Sequence, residues 1–187
     1  MRRPDAPADP VADDVLAHLR AYPDYPSPGV LFQDLSPVLA RPGLLARVAD
    51  AVVVRFGGAF DTVLAIEARG FVLGAAVAQA TGTSLVLARK PGKLPGQVHR
   101  VRYSLEYGEA ALELQRGAFG PGARVLLVDD VLATGGTLAA AGELVALEHG
   151  RTVGYAVVVA ISALGGARRL APLDSFALVT VPPQAAA

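Results

Sequence analysis

The sequence predicts a single α/β domain: a doubly wound, mainly parallel sheet flanked by helices, with a small N-terminal hood and a mobile lid loop. Two observations carry this prediction. Short runs that are apolar at every position recur along the 187-residue chain and alternate with stretches whose apolar residues return at helical spacing. A strand of the first kind needs cover on both faces, which is the condition of a parallel sheet between helical layers. The second observation is the run Val125-Leu126-Leu127-Val128-Asp129-Asp130, where such a strand meets paired carboxylates. It continues into the small residues Ala133-Thr134-Gly135-Gly136-Thr137, and open sheets of this class bind ligands where their strands end.

Taken in order, Asp13 or Asp14 is expected to cap a helix carrying Val15, Leu16 and Leu19. The proline-rich stretch 23–29 then forms a stiff loop, and the hood is placed at about 22–40. Leu44, Leu45, Val48, Val52 and Val53 mark the next helix, stopped at Gly57-Gly58, before a buried strand over 62–66. A helix over 71–80 and a strand over 84–88 follow. The segment 89–107 is rich in glycine and charge, and its part 90–107 is read as the lid. Residues 110–114 are read as a strand, and Gly120-Pro121-Gly122 as a turn. After the acidic strand, Leu138, Ala141, Leu144, Val145 and Leu147 mark a helix that Gly150 ends. Strands over 153–161 and 176–181 complete the alternation, which implies right-handed crossovers.

Composition narrows the function. The chain has no cysteine, which excludes disulfides, thiolate zinc sites and a cysteine nucleophile. Seventeen Lys and Arg balance seventeen Asp and Glu, so no charge excess argues for nucleic acid. Charge or glycine breaks every apolar run well before membrane-spanning length. Residues 1–10 carry arginines without an apolar core behind them, so they are read as a disordered leader to a domain over 11–187, not as a secretory signal. A cytoplasmic protein without membrane or nucleic-acid partners is expected. His18, His99 and His149 lack metal-ligand spacing.

The chemistry gathers at strand ends. Residues 133–137 have little side-chain bulk, so main-chain N–H groups can converge on an anion at the positive end of the next helix. A P-loop would require Gly-Lys-Ser/Thr, but Gly136 is followed directly by Thr137. Adjacent carboxylates suit two neighbouring sugar hydroxyls. Glu67-Ala68-Arg69-Gly70 also ends a strand and opens a helix, so Arg69 reaches the same sheet edge, either to meet a diphosphate or to pair with Glu67. The run Arg89-Lys90-Pro91-Gly92-Lys93-Leu94-Pro95-Gly96 is either a lid over an anion or a solvated basic loop.

On the residues 125–137 the chain resembles the ribose-5-phosphate-binding signature of the type I phosphoribosyltransferases, which use phosphoribosyl pyrophosphate as donor. The basic run, Tyr103-Ser104-Leu105-Glu106-Tyr107-Gly108 and the segment 25–37 are similar to the adenine-using branch. The resemblance extends from about 25 to 181 in family order. It implies that Asp129, Asp130, Leu132, Ala133, Thr134, Gly135, Gly136 and Thr137 hold the donor ribose phosphate. Ala68, Arg89 and Lys90 would meet pyrophosphate, with a strained cis bond near Ala68-Arg69, while Arg69 and Lys93 serve catalysis at the leaving group. Glu106 would handle the purine proton beside Tyr107, and Phe32 would stack on the base next to Leu31 and Gln33.

The implied reaction is purine salvage: adenine and phosphoribosyl pyrophosphate give AMP and pyrophosphate through an oxocarbenium-like transition state. The implied cofactor is Mg²⁺, held mainly by substrate phosphates and water without a direct protein ligand. A homodimer is also implied. Two other readings stay open: a hypoxanthine or xanthine phosphoribosyltransferase, and a non-catalytic regulator that senses the donor. Against the regulator, the residues before Tyr25 allow one short helix without a basic face. Gln33 and Ala163 depart from the family pattern, which often has a basic residue and an acid there.

Overall fold

The apolar strands fold side by side, covered above and below at the centre of the sheet and exposed on the edge strand over 84–88. The computed structural model describes residues 9–104 and 109–182. The N-terminal part comprises α1 (Pro10–His18), β1 (Arg20–Tyr22), β2 (Phe32–Asp34), α2 (Ser36–Ala40) and α3 (Leu44–Phe56). Next come β3 (Thr62–Ile66), α4 (Gly70–Thr81), β4 (Ser84–Ala88), β5 (Val98–Ser104) and β6 (Glu109–Gln115). The chain continues with β7 (Arg124–Leu132), α5 (Gly136–Leu147), β8 (Arg151–Ile161), α6 (Gly166–Leu170) and β9 (Asp174–Val181).

The central sheet has five parallel strands in the order β4-β3-β7-β8-β9. From β3 the chain steps outward to β4 and later returns to lay β7 on the other side of β3. The winding therefore reverses between β3 and β7, where an open crevice forms at the strand ends. Side chains alternate across the sheet. Val63, Leu126, Val128 and Ala156 pack with α1, α3 and α4, whereas Leu64, Ile66, Leu127, Tyr155 and Val157 pack with α5 and the β5–β6 hairpin. Among the described residues no helix is long and apolar enough to cross a membrane.

Several elements differ from the sequence reading. Helix α1 starts before Asp13, because Asp9 accepts hydrogen bonds from the N–H of Val11 (2.9 Å) and Ala12 (3.4 Å) and Pro10 fills the first turn. Pro10, assigned to the leader, is thus helical, while residues 1–8 lie outside the described residues. Asp14 instead accepts from Arg47 Nη1 at 2.5 Å and ties α1 to α3.

The lid is not irregular throughout. Val98–Ser104 forms β5, which pairs antiparallel with β6 through seven residue pairs and stands apart from the central sheet. Its Val101 packs with Leu112 and Leu114, so the stem of the basic loop belongs to the core. Between the two strands, residues 105–108 lie outside the described residues. Strand β7 also runs further than its apolar part, since Asp129 pairs with Val157 and Leu132 with Ala160 of β8.

Candidate active site

Ala65 of β3 pairs with Val128 of β7, so Glu67-Ala68-Arg69 and Asp129-Asp130 leave the sheet side by side at the reversal. They open onto a cavity of about 330 Å³ lined by Glu67, Ala68, Arg69, Lys90, Tyr103, Ala110, Asp129, Asp130 and Thr137. A second cavity of about 620 Å³ lies under the hood between Tyr22, Tyr25, Phe32, Asp34, Ser36 and Arg69. Arg69 belongs to both.

Its guanidinium bridges them. Arg69 Nε lies 2.6 Å from Asp130 Oδ2, Nη1 donates to the Gln33 carbonyl at 3.3 Å, and the charge sits 5.0 Å from the Phe32 ring centroid. Phe32 meets Tyr25 edge-on, with centroids 5.1 Å apart. Asp130 Oδ2 is buried and receives no well-directed hydrogen bond, so the pair is held by charge and proximity.

Asp129 is 8% exposed and accepts the Asp130 main-chain N–H at 2.9 Å. Burial, followed by the neighbouring Asp130 charge, pushes its carboxyl well above the usual range. Close approach of α4 contributes to this burial. A Cβ on Gly70 would sit 2.9 Å from Asp129 Oδ1 and 3.1 Å from Asp129 Cα, so only glycine lets the helix start there.

Glu67 does not pair with Arg69. Its carboxylate accepts the Lys90 N–H at 2.8 Å and Arg89 Nη2 at 3.1 Å, which hold its pKa below the ordinary value, the Lys90 hydrogen bond most of all. The cis peptide bond implied near Ala68-Arg69 lies one step earlier, between Glu67 and Ala68. Arg89 is half-buried and tied inward, whereas exposed Lys90 borders the cavity. Lys93 is exposed and does not line that cavity, but its carbonyl accepts from Arg89 Nη1 at 3.2 Å.

Residues 133–135 connect β7 to α5, and Gly135 caps that helix with φ +78°. The main-chain N–H groups of the first turn of α5 have no partner within the helix, and Thr137 lies on the cavity wall. Ala133 and Thr134 are half-buried, and Gly136 is buried as the first helical residue. Leu132 does not reach the cavity. It is 2% exposed and lies in the core beneath the loop. Leu31 is half-buried, and Gln33 is buried with its carbonyl on Arg69. Glu106 and Tyr107 lie outside the described residues.

The sequence reading missed Tyr22, Tyr25, Tyr103 and Ser36 as cavity walls, and Gly166 as the residue packed against the loop 133–135. A Cβ on Gly166 would lie 2.3 Å from the Ala133 carbonyl oxygen. The pair Gly165-Gly166 was its one signal. Among the described residues no group of three or more His, Cys, Asp or Glu is placed to hold a metal ion.

An acidic strand end beside a small-residue loop at a helix N-terminus, at the switch point of a parallel sheet, suits a sugar-phosphate transferase. The chain matches the phosphoribosyl transferase domain over residues 38–179 and belongs to the phosphoribosyltransferase family. It is 50% identical over 175 residues to the adenine phosphoribosyltransferase of Clavibacter michiganensis subsp. michiganensis, covering 94% of this chain and 99% of the relative. The adenine phosphoribosyltransferase structure from Saccharomyces cerevisiae, complexed with an imino-altritol bisphosphate and adenine, is similar with TM-score 0.85. Identity is 36%, over 90% of this chain and 98% of that one. The Giardia lamblia APRTase complexed with 9-deazaadenine gives TM-score 0.86 and 36% identity over 93% and 99%.

Proposed function

We infer that this chain transfers the phosphoribosyl group of phosphoribosyl pyrophosphate to N9 of adenine, giving AMP and pyrophosphate in purine salvage. The observation that carries this reading is Arg69, which joins a carboxylate-edged cavity to an aromatic one and so sets a sugar site beside a base site. Relatives named for this activity, similar over nearly their full length, support it.

In this reading the 5-phosphate sits on residues 133–137 at the positive end of α5. Asp129 and Asp130 meet the two ribose hydroxyls. The bond from C1 to the pyrophosphate oxygen breaks ahead of attack by N9, so positive charge builds on the ribose ring and the nearby carboxylates stabilise it. Arg69 and Lys90 offset the charge of the departing pyrophosphate, aided by main-chain groups at Ala68. Phe32 stacks on the base, with the main chain of Leu31 and Gln33 beside it. Glu106 and Tyr107, from the motif after β5, close over the base, and Glu106 handles the purine proton.

The site fits Mg²⁺ held mainly by the donor's phosphates and by water, which requires no dedicated protein cage. No direct protein ligand is needed, since Asp129 and Asp130 are taken up by the ribose hydroxyls, and the ion would supply Lewis-acid neutralisation of the pyrophosphate oxygens. The enzyme is further read as a cytoplasmic homodimer. Apolar Leu85 and Leu87 stand exposed on the edge strand β4, with Val72 of α4 also exposed, which supports association with another copy.

With adenine, donor and Mg²⁺, AMP and pyrophosphate should appear one for one. Chelation of Mg²⁺ should lower turnover by on the order of a hundredfold, reversed on adding the ion back. Pyrophosphate release without AMP would count against the reading.

A further inference from the structure

Glu113 is a carboxylate in the middle of β6 with 1% of its surface exposed. Such a group is costly unless it is paired and hydrogen-bonded. Its partners come from the basic loop and the stem of that loop. Arg100 of β5 places Nε 2.8 Å and Nη2 2.5 Å from Oε1, and the Gly92 N–H donates to Oε2 at 2.9 Å. The main chain of Glu113 also grips Arg89, accepting its N–H at 2.9 Å and donating to its carbonyl at 2.7 Å. One residue therefore holds the chain on both sides of Lys90-Pro91. Lys90 borders the donor cavity, and its own N–H is taken by Glu67.

The hairpin stem has seven residue pairs of its own. What the carboxylate adds is the bond to Gly92, which lies outside any helix or strand. We propose that Glu113 is a positioning residue for the pyrophosphate end of the donor. It fixes the path of the loop through Gly92 and Arg89, and thereby the place of Lys90 at the cavity edge, with Arg100 as its counter-ion. It touches no substrate. The proposal rests on the donor reading given above.

The test is steady-state kinetics on Glu113→Gln, which keeps the shape and removes the charge. The KM for phosphoribosyl pyrophosphate should rise about tenfold while the KM for adenine stays within about twofold, because displaced positioning groups weaken the donor alone. Glu113→Asp, which keeps the charge and shortens its reach to Gly92, should raise the donor KM several-fold and serves if the glutamine variant does not fold. In a cycle with Lys90→Met, the double variant should bind donor no worse than Lys90→Met alone. Additive losses, equal rises in both KM values, or a lowered melting temperature with unchanged KM would overturn the proposal. The unsubstituted enzyme in the same assay reports separately on the reaction: absence of AMP there would refute the activity, not the role of Glu113.

Discussion

Replacing Asp129 with asparagine is expected to lower turnover by on the order of 10²- to 10³-fold, the loss seen when one electrostatic stabiliser is removed. The folded protein should nevertheless be as stable as before, or more stable, at neutral pH. Both halves follow from one geometry. Asp129 is held under the start of α4 beside Asp130, where burial and the neighbouring charge favour its protonated form. A carboxyl whose folded pKa is raised binds its proton more tightly when folded than when unfolded. Stability therefore falls as pH rises from the ordinary carboxylate range to the raised value, and the cost persists above it. Asparagine does not ionise, so the decline should be absent from the variant, a difference on the order of 1 kcal/mol for each tenfold by which folding tightens proton binding. Urea unfolding of both proteins across that range reads the stability half, and AMP formation reads the other. Full activity in the variant, or a large loss of stability at neutral pH, would contradict the account.

Gly166→Ala is expected to damage both the fold and the donor site. The added Cβ would lie 2.3 Å from the Ala133 carbonyl oxygen, 2.6 Å from Leu132 Cδ1 and 3.0 Å from the Gly135 nitrogen. Two of these are main-chain atoms of the loop between β7 and α5 and cannot rotate aside, so α6 and the loop must separate. A destabilisation of about 2–4 kcal/mol is expected, at the severe end for a single methyl. The KM for phosphoribosyl pyrophosphate should rise at least about tenfold because the loop amides leave their positions. The KM for adenine should be spared, because Phe32 belongs to β2, away from this loop. Denaturant titration together with donor titration checks this. Normal values for both would show that α6 does not brace the loop.

The two sides of the switch point were legible because their signals are local. Strand β3 and the apolar part of β7 are uninterrupted runs, α5 repeats at helical spacing, and two acids at the end of an apolar strand stand out by contrast. Legibility failed where placement depends on partners distant in sequence. Strand β5 interleaves His99, Arg100 and Arg102 with apolar residues, and its pairing with β6 is what makes it a strand. The short elements β1, β2, α2 and α6 carry too few residues for a period to register. Nothing local to Leu112-Glu113-Leu114 signals that Arg100 and Gly92 bond to Glu113 from another part of the chain. Which loop cation meets the cavity, Lys90 and not Lys93, likewise follows from how Glu67 and Glu113 hold the chain.

Base choice rests on hydrogen-bond polarity. Adenine presents an amino donor beside the N1 acceptor, and hypoxanthine reverses both. A hood with a fixed carbonyl and N–H leaves two groups unpaired with the wrong base, a loss of about 2–6 kcal/mol. The deciding measurement supplies adenine, hypoxanthine, guanine or xanthine in turn with phosphoribosyl pyrophosphate and Mg²⁺ and follows nucleotide and pyrophosphate together. Turnover of adenine with the others at least about a hundredfold lower in kcat/KM is the predicted result. Equal rates with hypoxanthine, or tight donor binding without turnover of any base, would contradict it.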